Sequence, residues 1–400
     1  ECFEEVDKYT PRIGNKGYSA YDSNVFTTAS IHNSLAEIYL IYPEYKQILP
    51  MLDLALENAH LYRNLDKEKV MFNFWQKLPI PQNLLGKSEK AQDYPKLRRG
   101  NHFHLQGKFV WKASNVEDDA DDTSLVLSSF KLHQKIFGKN ELNSPEWFPS
   151  QITDIFDGFR DIKRSNLNFY NLSTGHKRNT GGFLTWLGDE GRFPLLGLLP
   201  KIDKQYIPFG TNDVDCVVNT NVLGALALFD EVDKSKGAQA SCRLINKVIE
   251  TNSHRKCGVY YPNAYNFYYT ASRAHTSGVN CFDKNISHME RVIISEQSPN
   301  GAWEVDSKDI IQSTAYALGS LMNFKNYSKN EKVKNAIDKG IGYLLVNATK
   351  TAEKNGIYWQ GGIFFSGGRV FRDRVSFRSS PYTTSLILDL LAKYRFELEK

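Results

Sequence analysis

Four aspartates in five consecutive positions form the densest group of acids in the sequence: Asp118, Asp119, Asp121 and Asp122. They lead directly into 124–137, where apolar residues recur at the three-and-four spacing of a helix. Aspartates at a helix start cap its free N–H groups and complement its dipole, but one or two of them are enough for that. Carboxylates packed closely together raise the pKa of at least one member, and a carboxyl group held protonated is a general acid. The run therefore predicts a helix cap, a general acid or a metal site.

A second group of polar residues opens a later helical stretch. Asp213 and Asp215 stand at the start of 212–230, and Asn219 follows one turn beyond Asp215 on the same side. If helix starts converge at one mouth, these side chains face the first group of acids across it. Paired carboxylates there suit proton transfer or sugar binding. Helix capping explains the same residues, so both interpretations stand.

Aromatic and basic side chains supply the other candidates for a binding site. Helical spacing places Tyr265, Tyr268 and Tyr269 on one face, and aromatic faces stabilise a carbocation, stack on sugars or pack in a core. Arg372 and Arg374 belong to an arginine-rich stretch before the last helical segment. One interpretation is a loop that holds a diphosphate or an acidic sugar through forked hydrogen bonds from the guanidinium groups. The other is an ordinary solvated loop, which has the same composition.

Two kinds of helical segment alternate along the chain and must position these residues. Segments apolar nearly all round are predicted at 22–40, 118–137, 212–230, 263–278, 308–324 and 380–394. Amphipathic segments are predicted at 45–63, 145–163, 237–252, 283–297 and 330–347. An inner helix touches neighbours on all sides and an outer one keeps a wet face, so the alternation predicts concentric rings, although an open solenoid alternates similarly.

Long connectors at 64–117, 164–211 and 348–379 are rich in Gly, aromatic and polar residues. Loops of this length in a compact domain are usually functional. The helical alternation resumes after each of them, so we expect one domain over 1–400.

Several motifs carry a resemblance to a known family. The segment 119–123 (DADDT) resembles the Asp-X-Asp-Asp-Thr motif of class II terpene cyclases and squalene–hopene-type cyclases. The segment 297–303 (QSPNGAW) is similar to the Gln-Trp repeat core of those cyclases and, more loosely, of protein prenyltransferase β subunits. The segments 181–186 and 356–359 resemble degenerate copies. The resemblance implies an all-α fold, a single (α/α)6 toroid with its site in the centre.

The resemblance also implies roles for individual residues. Asp121 would give a proton to an alkene or epoxide, with Asp119 and Asp122 keeping it protonated and oriented. Trp303, which ends the repeat core, joins the residues expected to contact substrate. The leading hypothesis is an acid-initiated cyclase or isomerase of a polyprenyl substrate. The alternatives are a carbohydrate-active hydrolase or lyase using Asp121 with Asp213 or Asp215, and a non-catalytic toroid binding a lipid, glycan or protein.

Composition excludes other classes of function. The chain has 400 residues, a formal net charge of +5 and no apolar run long enough to cross a membrane, so neither nucleic acid binding nor a spanning helix is expected. Five cysteines without a CxxC pair indicate neither a disulfide framework nor a zinc ribbon. His102 and His104 lack a third ligand nearby, and no phosphate-binding loop occurs, so we expect no metal and no cofactor. The start at Glu1 leaves export, compartment and oligomeric state open.

Overall fold

The computed structural model describes residues 4–7, 21–79, 96–100, 114–145, 147–162, 179–188, 205–208, 212–304, 309–351, 356–367 and 376–400. Twelve α-helices lie in these ranges. They are α1 (Val25–Ile41), α2 (Leu49–His60), α3 (Ala120–Phe137), α4 (Thr153–Asp157), α5 (Cys216–Leu228), α6 (Lys236–Glu250), α7 (His254–Cys257), α8 (Ala264–Thr276), α9 (Ile286–Ser295), α10 (Ile310–Asn323), α11 (Glu331–Val346) and α12 (Ser380–Leu398).

Six of these helices form a closed inner ring. In the order α1, α3, α5, α8, α10 and α12, each helix packs against the next, and α12 packs against α1. Outside the ring, α2 packs on α1 and α3, α6 on α5, and α11 on α10. The contact between the first and last inner helices excludes an open solenoid and confirms the predicted (α/α) toroid. None of the described helices is long and apolar enough to cross a membrane.

One predicted outer helix is much shorter than expected. Within the stretch 145–163, the described residues (145 and 147–162) are helical only over Thr153–Asp157. Pro145 and Pro149 precede this turn and Gly158 follows it. Proline lacks the N–H that a helix interior needs and glycine is unfavourable within a helix, so the amphipathic pattern alone overestimated this helix.

The described residues also form short strands, which the sequence pattern did not predict. They are β1 (Glu4–Asp7), β2 (Tyr21–Asp22), β3 (Lys77–Pro79), β4 (Lys96–Arg98), β5 (Thr349–Lys350), β6 (Ile357–Tyr358), β7 (Ile363–Ser366) and β8 (Ser376–Arg378). Four of them form an antiparallel sheet in the order β2-β1-β8-β7. In the central strand β8, Phe377 lies opposite Val6 of β1 on one side and opposite Phe365 of β7 on the other. Through β7, Phe364 stacks on Phe26 of α1 with ring centroids 5.3 Å apart.

Two buried tryptophans join outer helices to inner ones in the same way. The indole N–H of Trp303 donates to the Ile293 carbonyl of α9 (2.7 Å), and its backbone N–H donates to the hydroxyl of Thr314 in α10 (3.1 Å). Trp359 repeats this arrangement with Leu344 of α11 (2.7 Å) and Thr384 of α12 (3.0 Å). The predicted repeat segments 297–303 and 356–359 therefore occupy equivalent structural positions.

Replacing either tryptophan by phenylalanine tests this equivalence. Trp303→Phe and Trp359→Phe keep an aromatic ring but remove the indole donor in a fully buried site. We expect each variant to lose about 1–3 kcal/mol of unfolding free energy, because a buried hydrogen bond is lost. Chemical denaturation measures both, and a loss confined to one variant would contradict the equivalence.

Two disulfides correct the expectation of no disulfide framework. Cys216 pairs with Cys257 and Cys242 with Cys281, and the partners are 41 and 39 residues apart in sequence. Cysteines this far apart do not form a recognisable spacing motif in the sequence. They meet only because α5 lies near α7, and α6 near the turn Asn280–Asn285, in the folded protein. Cys2 lies outside the described residues.

Candidate active site

Asp121 lies in the first turn of α3 and is only 5% exposed. Its Oδ1 accepts a hydrogen bond from the Asn221 side chain of α5 (2.6 Å), whereas its Oδ2 is buried and has no hydrogen-bond partner among the described residues. Burial raises the pKa of Asp121 well above its usual range, and the nearby Asp119 charge adds to this, while the Asn221 hydrogen bond lowers it. The environment therefore favours a neutral carboxylic acid.

The neighbouring acids are buried beside Asp121. Asp119 is the cap of α3, since its Oδ1 accepts from the backbone N–H of Asp122 (2.7 Å). Burial raises the pKa of Asp119 to about 6, against the hydrogen bonds from Asp122 that lower it. Asp122 is also buried, and Asp118 accepts from Asn64 (2.7 Å) away from this group. The three predicted catalytic acids thus meet at one end of the ring, and Asp119 serves as a helix cap as well.

Asp119, Asp121 and Asp122 line a small cavity with mostly aromatic walls. The walls also include Phe26, Phe74, Thr185, Trp186, Val218, Tyr260, Tyr261 and Phe365, and its volume is about 10 Å³. A second cavity of about 10 Å³ shares Phe26 and Tyr261 with it, and a third of about 40 Å³ shares Asn221 and Arg273 with the second. A series of small spaces therefore follows the ring axis from Asp121 towards the far ends of the inner helices.

Two residues absent from the predicted site face this axis. Tyr261 lines the first two cavities, and its buried hydroxyl has no hydrogen-bond partner among the described residues. Asn221 lines the second and third cavities and donates to Asp121. Because α5 is apolar nearly all round, its periodicity does not show which of its amides, Asn219 or Asn221, faces the axis.

The predicted second group of polar residues is bonded within the protein. Asp213 accepts from the hydroxyls of Thr185 (2.5 Å) and Tyr260 (2.8 Å). Asp215 caps α5 through the N–H of Val217 (2.7 Å) and accepts from two further backbone N–H groups. The Asn219 amide exchanges two hydrogen bonds with the backbone of Phe183. These residues support the structure around the cavity, and their contact with a substrate stays a prediction.

The three tyrosines predicted to share one helix face do not all line the cavities. Tyr269 lines the second cavity, whereas the hydroxyl of Tyr265 donates to Glu296 (2.8 Å) and that of Tyr268 contacts His254 (3.0 Å). Trp303 points towards α9, as described above. Arg372 and Arg374 lie outside the described residues. Within the described ranges, no group of three or more His, Cys, Asp or Glu has the geometry to hold a metal ion.

The hydrogen bond between Asn221 and Asp121 can be measured without any substrate. In a double-mutant cycle of Asn221→Ala and Asp121→Ala, we expect a coupling energy of about 1 kcal/mol, as for one buried neutral hydrogen bond. Urea unfolding of the two single variants and the double variant gives this value. Additive effects would show that the two side chains do not interact in solution.

Solved structures of two kinds of enzyme share this fold. MstE, a type II terpene cyclase from Scytonema, matches with a TM-score of 0.55 at 14% identity, covering 98% of this chain and 92% of the cyclase. A variant of that cyclase in complex with its substrate, geranylgeranyl dihydroxybenzoate, matches with a TM-score of 0.53 at 14% identity, covering 97% and 90%. Cellobiose 2-epimerase from Bacillus thermoamylovorans matches with a TM-score of 0.52 at 9% identity, covering 94% and 88%.

No protein-family model and no curated protein matches the sequence. At identities this low, the structural likeness shows the fold alone. The chain therefore has the (α/α) toroid fold that type II terpene cyclases and a sugar epimerase have in common, which confirms the resemblance at the level of architecture.

Proposed function

We propose that this protein is an acid-initiated cyclase or isomerase of a polyprenyl substrate, with Asp121 as the proton donor. The observation that carries the proposal is the state of Asp121. It is a buried carboxyl group, favoured in its neutral form, at a cavity walled by aromatic rings, and one of its oxygens has no hydrogen-bond partner in the described part of the chain. The fold shared with type II terpene cyclases supports the same activity.

Each part of the site has a role in such a reaction. The proton on Asp121 goes to a terminal alkene carbon, whose π electrons form the new C–H bond, or to an epoxide oxygen, which keeps the electrons of the C–O bond that breaks. Either step leaves a carbocation and the Asp121 carboxylate. Neighbouring double bonds attack the cation to close rings, loss of a proton from carbon to water ends the sequence, and Asp121 then takes up a proton from solvent. Aromatic faces such as those of Phe26 and Tyr261 stabilise the cation, and the Asn221 amide stabilises the carboxylate that Asp121 becomes.

The cavity beside Asp121 is too small to hold a polyprenyl substrate as it stands. About 10 Å³ is enough for one water molecule and not for a prenyl chain. Substrate binding must therefore displace aromatic side chains. Phe365 is the main candidate, because it lies on the short strand β7 and is half-buried, whereas the other aromatic residues that line the cavity are buried.

Sugar hydrolysis has less support than cyclisation. Asp213 and Asp215, the predicted partners of Asp121 in that reaction, already accept hydrogen bonds from hydroxyl groups and backbone N–H groups. Neither residue lines the cavity beside Asp121. We therefore do not extend the proposal to glycans.

A product assay tests the proposal. Wild type, Asp121→Asn and the control Glu57→Gln, an exposed position on α2, are incubated with a panel of prenyl diphosphates and squalene-like alkenes. Extracts are then analysed by mass spectrometry. We expect a cyclised product from wild type and the control and none from Asp121→Asn. No product from any substrate with folded protein, or an unchanged product with Asp121→Asn, would overturn the proposal.

A further inference from the structure

We infer that the Cys216–Cys257 disulfide, together with Asp215, is a clamp that positions Tyr260 and Tyr261 beside Asp121 and keeps water away from that carboxyl group. The inference rests on the proposed function where it concerns catalysis. The geometry of the clamp can be tested without any substrate.

The clamp attaches one segment to the start of an inner helix. Cys216 is the first residue of α5 and Cys257 the last of α7, with their Cα atoms 5.5 Å apart. Asp215, the neighbour of Cys216, accepts from the backbone N–H groups of Val259 (2.5 Å) and Tyr260 (3.1 Å) through Oδ2. One covalent bond and two hydrogen bonds to a carboxylate thus hold 257–260, leaving this segment little freedom to shift.

The clamped segment forms one wall of the Asp121 cavity. The Tyr260 hydroxyl donates to Asp213 (2.8 Å) and accepts from the Trp186 indole (3.1 Å), while its ring stacks on Phe365 (5.6 Å). Tyr261 follows directly, is 4% exposed and lines the cavity. Both rings therefore reach the cavity through backbone that the disulfide fixes.

The wall matters because burial is the main reason that Asp121 resists ionisation. If 257–261 moved away, water would enter the cavity and solvate the carboxylate. Asp121 would then ionise at a lower pH and could no longer donate a proton to an alkene. The protonation of the proposed acid therefore depends on an intact bond between Cys216 and Cys257.

The second disulfide is a matched control. Cys242–Cys281 joins α6 to the turn Asn280–Asn285 on the outer side of the ring, and no residue within four positions of either cysteine lines the Asp121 cavity, unlike Tyr260 and Tyr261 beside Cys257. Its partners are 39 residues apart, compared with 41 for the clamp, so the two bridges constrain the unfolded chain almost equally. A difference between their variants at Asp121 would come from position in the fold.

The variants are Cys216→Ser/Cys257→Ser and Cys242→Ser/Cys281→Ser, studied in the full chain. Infrared difference spectra against Asp121→Asn report the carbonyl band of a protonated Asp121. We expect a decrease in melting temperature for both pairs, larger for the clamp pair because Cys216 and Cys257 are fully buried, and loss of the band at neutral pH only for the clamp pair. Should the serine pair not fold, Cys216→Ala/Cys257→Ala avoids placing hydroxyl groups in this buried site.

The outcomes separate this inference from the proposed function. A carbonyl band that persists in the clamp variant would overturn the inference, and so would loss of the band in both disulfide variants. The inference would also fail if the non-reduced mass of the wild type showed free Cys216 and Cys257. A band lost only with the clamp, in a protein that makes no cyclised product, would support the clamp and overturn the proposed cyclase.

Discussion

Asp121→Asn should abolish cyclisation and at the same time stabilise the fold at neutral pH. Loss of a general acid is expected to lower the rate by about 10²–10⁴-fold. The stability gain has a separate cause. Because burial raises the pKa of Asp121 in the folded state, folding at neutral pH requires either uptake of a proton or burial of an unfavourable charge. Asparagine has the shape of the neutral acid and incurs neither cost.

The stability gain of Asp121→Asn over wild type should depend on pH. Between the usual pKa of an aspartate and the raised pKa of Asp121, the folded state binds more protons than the unfolded state, so wild-type stability falls as pH rises. The difference in unfolding free energy between Asp121→Asn and wild type should therefore grow from acidic to neutral pH and disappear below about pH 4, where the unfolded carboxyl also becomes protonated. Chemical denaturation across this range measures it, with Glu57→Gln as the control. A destabilised Asp121→Asn at neutral pH would contradict the assignment of a neutral acid.

Glu37→Gln should cost about 3–5 kcal/mol of unfolding free energy, because it breaks a largely buried ionic group that closes the ring. Glu37 of α1 accepts from Lys393 of α12 (2.7 Å) and from Arg273 of α8 (3.2 Å). Lys393 also donates to Asp389 (2.8 Å). The side chains of Glu37, Lys393 and Arg273 are only 18–25% exposed, so water replaces little of the lost attraction.

Titration of Glu37 gives an independent check of the same interaction. Burial raises its pKa, but the charges of Lys393 and Arg273 outweigh this and lower it to about 2. A carboxyl group with a lowered folded-state pKa stabilises the fold at pH above its unfolded value, and this contribution is lost as pH falls from about 4.5 towards about 2. Wild type should lose this contribution over that range and Glu37→Gln should not. The exposed control Glu57→Gln should stay within about 0.5 kcal/mol of wild type.

Much of the fold was predictable because helical rings impose a strong pattern on the sequence. An inner helix such as α10 has neighbours on every side and must be apolar nearly all round, whereas an outer helix such as α11 keeps charges on one face. The six inner segments therefore stand out by composition. The cluster of acids at 118–122 was equally visible, since four like charges exceed what capping needs.

Orientation around the ring was not predictable. Tyr265, Tyr268 and Tyr269 share a helix face by spacing, yet only Tyr269 lines the cavities on the ring axis, because the other two hydroxyls bond to Glu296 and His254. Asn221 rather than Asn219 contacts Asp121. The sequence could not show this, because a helix buried on all sides has no hydrophobic periodicity that marks the face turned towards the ring axis.

The sequence by itself determined the alternation of helices and the position of an unusual group of acids, which follow from local composition and short-range spacing. Closure of the helices into a ring was implied by the family resemblance and shown by the contact between α1 and α12. Only the tertiary structure decided that Cys216 pairs with Cys257, that β7 brings aromatic rings over the mouth of the ring, and that Asp121 has an oxygen with no hydrogen-bond partner among the described residues at an aromatic cavity. These features depend on contacts between segments from about 40 to more than 300 residues apart, and such contacts leave no mark on the sequence near either partner.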